Sequence, residues 1–179
     1  NTGSVAQRLA DTPGVARTIL DAARAARGMA GADPRAMSHS WLFTGPPGSG
    51  RSLAALDFAA ALMCTDPEEP GCGRCEACQA VLGAKQHTDL VLVDPQEVII
   101  PVDTVREVIG RAASLPTVAP WRVVIFNNAD RLTNNGANAL LKTVEEPPAR
   151  TVIIMCAPSD APEDFSQTLR SRCRHLYIP

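Results

Sequence analysis

No stretch of this sequence is apolar for long enough to cross a membrane, and its first residues do not form a signal peptide. Membrane-embedded and secreted classes are set aside, and the chain reads as cytoplasmic. Neither charge is in clear excess: 17 Lys and Arg face 19 Asp and Glu, a formal net charge of -2. A surface of that balance is no nucleic-acid footprint, so any DNA contact must come from a local patch or from helix ends. In a reducing compartment the six cysteines point to metal ligands or buried thiols before disulfides. The 179 residues, 45% of them hydrophobic, suffice for one domain with a core and a small insert. No internal repeat or low-complexity segment is visible.

Apolar runs and helical stripes alternate along the chain. Residues 1–13 are polar and carry no clear signal. Val15, Ile19, Leu20 and the alanines of 22–26 mark a helix ending near Gly28, and 31–38 reads as a loop. Strands are expected at 40–44, 89–93, 121–126, 151–156 and 174–178. Helices are expected at 52–63, at 101–113 with Asp103 as its cap, after Thr133 or Asn134 up to Pro147-Pro148, and around 162–169. This alternation predicts an α/β fold, a five-stranded parallel sheet with helices on both faces. Trp41 and Trp121 fall at strand positions and read as packing residues rather than base-stacking platforms.

The stretch Gly45-Pro46-Pro47-Gly48-Ser49-Gly50-Arg51-Ser52 sits between a strand and a helix. That is the context of a phosphate-binding loop, in which backbone N–H groups and a helix N-terminus converge on one anion. The spacing fits G-x-x-x-x-G-K-[ST] with one departure: Arg51 stands where lysine belongs. Lysine is a compact point charge, whereas arginine is a longer planar fork. A second absence reinforces the first. P-loop ATPases end their third core strand with acids that hold Mg²⁺ and polarise water. Here the strand runs into Asn127-Asn128, and amides neither carry charge nor take a proton at neutral pH. The loop amides remain, so ATP with Mg²⁺ stays open as a ligand while hydrolysis does not.

Cys64, Cys72, Cys75 and Cys78 lie within fifteen residues and include two C-x-x-C steps in tandem. Four thiolates at that spacing can close a tetrahedron around a structural Zn²⁺ with no position left for catalysis. His87 reads as a satisfied histidine rather than a ligand, and Cys156 and Cys173 as buried thiols. A zinc module that itself binds nucleic acid is an alternative. Its loop, however, carries Arg74 against Asp66, Glu68, Glu69 and Glu76.

The segments Asn138-Ala139-Leu140-Leu141-Lys142-Thr143-Val144-Glu145-Glu146-Pro147-Pro148 and Thr168-Leu169-Arg170-Ser171-Arg172-Cys173 are long and distinctive. With the glycine loop and the four cysteines, they make the chain resemble bacterial clamp-loader subunits of the AAA+ class. The likeness covers nearly all of it, from about Val5 to Pro179. It is closer to the rigid, non-hydrolysing member of the ring than to gamma/tau, which keeps the loop lysine and an Asp-Glu pair. An active gamma-like ATPase is the alternative within the class. The resemblance implies an AAA+ N-terminal domain over 1–179, a lid domain starting near the end, and further domains beyond it. It implies a hetero-pentameric ring with gamma/tau and delta, acting on a sliding clamp and primer–template DNA. It implies nucleotide contacts from Gly45, Gly48, Ser49, Gly50, Arg51 and Ser52, and a sensor position at Ser159. Arg172 would be an arginine finger acting in trans on a neighbour's ATP. Thr133, Asn134 and Asn135 would face DNA.

Overall fold

The computed structural model describes residues 2–179. Five parallel strands form one sheet: β1 (Ser40–Thr44), β2 (Leu90–Val93), β3 (Arg122–Phe126), β4 (Thr151–Ala157) and β5 (Arg174–Tyr177). Their order across the sheet is β2-β3-β4-β1-β5. β1, β3 and β4 are buried along their whole length, as β-branched and aromatic runs covered on both faces must be.

Among the described residues, seven α-helices cover the two faces: α1 (Val5–Arg8), α2 (Pro13–Ala26), α3 (Arg51–Met63), α4 (Glu76–Cys78), α5 (Val102–Ala112), α6 (Asn134–Glu145) and α7 (Gln167–Arg170). One core packs α1, α2, α3 and the cysteine segment against Trp41, Phe43, Ile125 and Ile154. The other packs α5, α6 and α7 against Leu42, Val124, Ile153 and Met155. Trp41 meets Phe43 and Phe58 edge-on, with ring centroids 6.1 and 5.1 Å apart. The indole of Trp121 donates to the Ala26 carbonyl at 3.2 Å. Both tryptophans are packing residues, as the sequence suggests. Among the described residues no helix is long and apolar enough to cross a membrane.

Asp89 fixes the start of β2. It is fully buried, accepts the backbone N–H groups of Thr117, Val118 and Ala119 at 2.7–2.8 Å, and lies 3.6 Å from Arg122. Burial alone would raise its carboxyl; the three N–H groups and the guanidinium together hold it below its ordinary value.

Several local expectations are corrected. The polar start of the chain contains α1, closed by a capping box in which Ser4 and Gln7 each bond the other's backbone N–H. Pro101, not Asp103, is the N-cap of α5. Asp103 lies in the first turn, where its charge suits the helix dipole, 3.5 Å from Arg106. α7 is shorter and later than 162–169, because Ser166 caps it by accepting from Leu169 N at 3.3 Å. The cysteine segment continues directly into a π-helical turn, Gln79–Ala84, which no sequence pattern announces. The cap of α6 is Thr133, whose hydroxyl accepts from Gly136 N at 3.0 Å.

Candidate functional site

Parallel pairing brings the carboxyl ends of four strands level. Phe43 pairs with Cys156, Phe126 with Met155, and Val93 with Phe126. Everything that follows those strands therefore emerges at one edge, where open α/β sheets place their ligands. The glycine loop follows β1, Asp94 follows β2 and Asn127-Asn128 follow β3.

The loop closes on itself before α3 begins. Ser49 N donates to the Pro46 carbonyl at 3.0 Å. Gly50, the N-cap of α3, has φ +88, a left-handed backbone that a side chain would strain. Arg51 turns its fork inward, and its Nη1 donates to the Gly45 carbonyl at 2.5 Å. Beside the loop lies a cavity of about 490 Å³. Its lining includes Gly48, Gly50, Arg51, Ser52, Lys85, Asp94, Asn127, Asn128 and Cys156. The Oδ1 of Asn127 is buried without a protein hydrogen-bond partner. Burial pushes the Cys156 thiol up to about 12, so it is neutral there and no nucleophile.

Of the six loop positions expected to touch nucleotide, Gly48, Gly50, Arg51 and Ser52 line this cavity. Gly45 is buried beneath it. Ser49 lines a second cavity of about 330 Å³ on the other side of the loop, with Leu9, Thr12 and Val15. Asn127 and Asn128 stand at the cavity wall as the sequence places them. Ser159 does not line it; its hydroxyl donates to Asp164 Oδ2 at 2.7 Å and accepts from Ala161 N at 3.1 Å. Lys85 is a cavity residue that no sequence signal revealed.

The opposite end of α3 enters the cysteine cluster. Cys64 is the C-cap of the helix, and the Sγ atoms of Cys64, Cys72, Cys75 and Cys78 all lie within 4.8 Å of one another. The Cys64–Cys75 separation is 3.8 Å. A tetrahedron with Zn–S of about 2.3 Å has S···S edges of about 3.8 Å. Backbone N–H groups point at three of the sulfurs. Asp66 and Cys72 donate to Cys64 at 3.4 and 3.5 Å, Arg74 and Cys75 to Cys72 at 3.3 and 3.2 Å, and Cys78 to Cys75 at 3.4 Å. Such donors stabilise thiolate, the form that binds a cation. The hydrogen bond between Cys78 and Cys64 draws the Cys64 thiol well below its ordinary range and raises that of Cys78. These four residues can therefore hold a metal ion.

The cluster is not an appendage. Cys64, Cys72 and Cys78 belong to the core of the α3 face. Gly73 abuts the N-terminal segment so closely that a Cβ there would lie 2.1 Å from the Gly3 carbonyl oxygen. Val5 N donates to the Gly71 carbonyl at 2.8 Å. His87 is outside the cluster and its Nδ1 accepts from Asp89 N at 2.9 Å. Arg74, the loop's one cation, is paired with Asp66 at 3.2 Å.

Arg172 lies on the turn between α7 and β5 and lines no part of the glycine-loop cavity. Its Nε donates to Glu145 Oε1 at 2.6 Å and its Nη1 to the Thr168 carbonyl at 2.9 Å. Nη1 also donates to Ser171 Oγ at 3.1 Å, and the neighbouring arginines are engaged as well. Arg170 pairs with Asp160 at 3.1 Å, and Arg174 lies 4.8 Å over the Trp41 ring while donating to the Ala36 carbonyl. Burial pushes the Cys173 thiol between them up to about 12. At the start of α6, Asn134 and Asn135 are exposed.

A glycine loop opening the helix after β1, on a parallel sheet of this order, defines a P-loop domain of the AAA+ class. Residues 30–179 match the family described as DNA polymerase III, delta subunit, and the chain belongs to that family. It is 37% identical over 145 residues to the DNA polymerase III subunit delta' of Pseudomonas aeruginosa, covering 79% of this chain and 43% of that protein. Identity to the delta' subunit of Escherichia coli is 36% over 143 residues, covering 78% and 42%. The gamma/tau subunit of Mycobacterium tuberculosis H37Rv is 37% identical over 145 residues, covering 80% of this chain and 25% of that one. The chain thus spans less than half the length of these relatives. Among solved structures, a gamma subunit-related protein of Thermotoga maritima shares the fold with a TM-score of 0.63 at 22% identity, covering 79% of this chain and 41% of that one. The Thermotoga maritima RuvB branch-migration motor does so at 0.54 and 15%, covering 93% and 44%.

Proposed function

We propose that this chain is the AAA+ domain of a delta'-type clamp-loader subunit that does not itself hydrolyse ATP. It works in a ring with gamma/tau- and delta-type subunits that places a sliding clamp on primer–template DNA. One observation carries the reading: the two halves of an ATPase site are present but separated. The glycine-loop cavity has neutral Asn127 and Asn128 where the acids of hydrolysis are required, while Arg172 stands exposed outside that cavity. A finger that cannot serve its own nucleotide can serve a neighbour's. The half-exposed pair with Glu145 is a weak restraint, so an incoming γ-phosphate can draw the guanidinium away. The cysteine cluster holds structural Zn²⁺. The N–H groups at Asn134 and Asn135 have no intrahelical acceptors and can meet DNA phosphate without sequence preference, which suits a chain with net charge -2.

The test is clamp- and DNA-stimulated ATPase of the reconstituted ring. Removing an arginine finger costs about 10³–10⁵ at its own interface. Intact interfaces dilute that loss, so Arg172→Ala is expected to cut total ATPase in part and clamp loading more. Arg172→Lys should be nearly as poor, since a point charge cannot reproduce the fork. Wild-type behaviour of Arg172→Ala, with Arg170→Ala inactive, would reassign the finger. Wild-type behaviour of Arg172→Ala, Arg170→Ala and Arg174→Ala alike would end the trans-acting role.

A further inference from the structure

The cavity beside the glycine loop contains a cation that the loop motif does not supply. We propose that Lys85 provides its phosphate-binding charge, and that the cavity takes a nucleoside polyphosphate without Mg²⁺. The inference rests on the reading above only for the neutral wall at Asn127 and Asn128.

Three observations converge. The loop's own cation is partly committed: Arg51 Nη1 donates to the Gly45 carbonyl, which braces the loop while the guanidinium charge stays at the cavity. Lys85, by contrast, is exposed and makes no ion pair with any carboxylate among the described residues. Its main chain is held, however. Lys85 has φ 57 and ψ 32 and donates its N–H to the Ala80 carbonyl, ending the π-helical turn. Left-handed backbone is uncommon outside glycine, asparagine and aspartate, and it gathers at functional sites. A fixed main chain carrying a free ammonium suits a phosphate ligand.

The charge inventory points the same way. The ionisable side chains lining the cavity include the cations Arg51 and Lys85 and one carboxylate, Asp94. An ordinary P-loop site is acidic behind the phosphates, because its acids hold the divalent ion that screens the polyphosphate. Here those positions are amides, and Asn127 presents a neutral, unpartnered Oδ1. With no acid pair to anchor Mg²⁺, the charge of a bound polyphosphate must be met by loop N–H groups, the braced Arg51 guanidinium and the Lys85 ammonium. Lys85 reaches the cavity from the segment that follows Cys78 directly, so the cysteine cluster also sets the position of this charge.

Calorimetric titration of the purified protein with ATP, ADP and inorganic tripolyphosphate, with Mg²⁺ omitted and then added, tests the proposal. Binding is expected without Mg²⁺ and no tighter with it. Lys85→Asn removes the charge while keeping a residue that tolerates the left-handed backbone. It should weaken binding about tenfold or more, the scale of one lost hydrogen bond to a charged group. Lys85→Arg should keep most of the affinity, and Arg51→Ala should lose less than Lys85→Asn. Thermal unfolding of each variant reports on the fold. Binding that requires Mg²⁺, no binding of any of the three ligands, or unchanged affinity in a folded Lys85→Asn would each overturn it. None of those outcomes touches the ring assay on Arg172, so the two readings fail separately.

Discussion

The two ends of α3 carry the two candidate sites, and they are built in opposite ways. At the C-terminal end all four sulfurs come from one short segment, and the chain turns back through Gly71 and Gly73 to bring them together. At the N-terminal end the loop supplies only half of the site, and the rest arrives from β2, β3, β4 and the π-helical turn. A local site is complete or absent as a unit. A site assembled from distant elements can keep its shape while losing its charges one by one. Here the sheet delivers neutral Asn127 and Asn128 to the cavity, with Asp94 the one carboxylate among its lining residues.

Substitutions at the two ends of α3 and against its middle sharpen the contrast. The largest effect is expected at the cysteines. Cys72→Ser should abolish metal retention and lower stability by more than about 5 kcal/mol, given the roughly 10–16 kcal/mol that structural Zn²⁺ contributes in small peptides. Because the sulfurs sit within the α3-face core, the loss should reach α1 and α2 rather than stay in the insert. Zinc analysis after gentle purification and urea unfolding measure it. A metal-free wild type of unchanged stability would break the comparison.

A smaller effect belongs to the middle of the helix. Asp57 is buried in α3 and is met by Arg8 Nε at 2.6 Å. Burial raises the Asp57 carboxyl above its ordinary value, even though the Arg8 hydrogen bond and charge act against it. Arg8→Ala leaves that carboxylate unpaired and should cost about 1.5–3 kcal/mol at neutral pH. A raised carboxylate pKa means that the folded state binds the proton more tightly than the unfolded one. Its stabilising contribution is therefore present below the unfolded value, near 4, and is lost as pH rises through the folded one. Removing Arg8 raises the folded value further, so the deficit of the variant should shrink as pH falls from 7 toward 5. A deficit independent of pH would assign the effect to packing. The smallest change is expected at the N-terminal end: Arg51→Ala loses one hydrogen bond to Gly45 and should cost about 1 kcal/mol or less.

Much of this was legible in the sequence, and what was not has identifiable causes. The strands read to within a residue or two because buried parallel strands are continuous apolar runs, as in Val123-Val124-Ile125-Phe126. The grouping of the four cysteines was legible because they lie in one short segment, while their packing into the α3-face core was not. The sequence Ser4-Val5-Ala6-Gln7 carried the capping-box signal for α1 and could have been read. No local signal marks Lys85, because its place in the cavity depends on a π-helical turn packed against α3, a separate helix that ends at Met63. Nor does any mark the pairing of Arg172 with Glu145, which lie 27 residues apart and meet only once α6 and α7 pack.

The central claim is that the N-terminal end of α3 holds a phosphate loop whose hydrolytic charges are gone. ATP turnover by the purified protein alone tests it most directly. The account predicts no turnover above background, with or without Mg²⁺. Turnover that follows the protein through purification, and disappears in Gly50→Val, where a β-branched residue cannot take the backbone φ of +88, would contradict it.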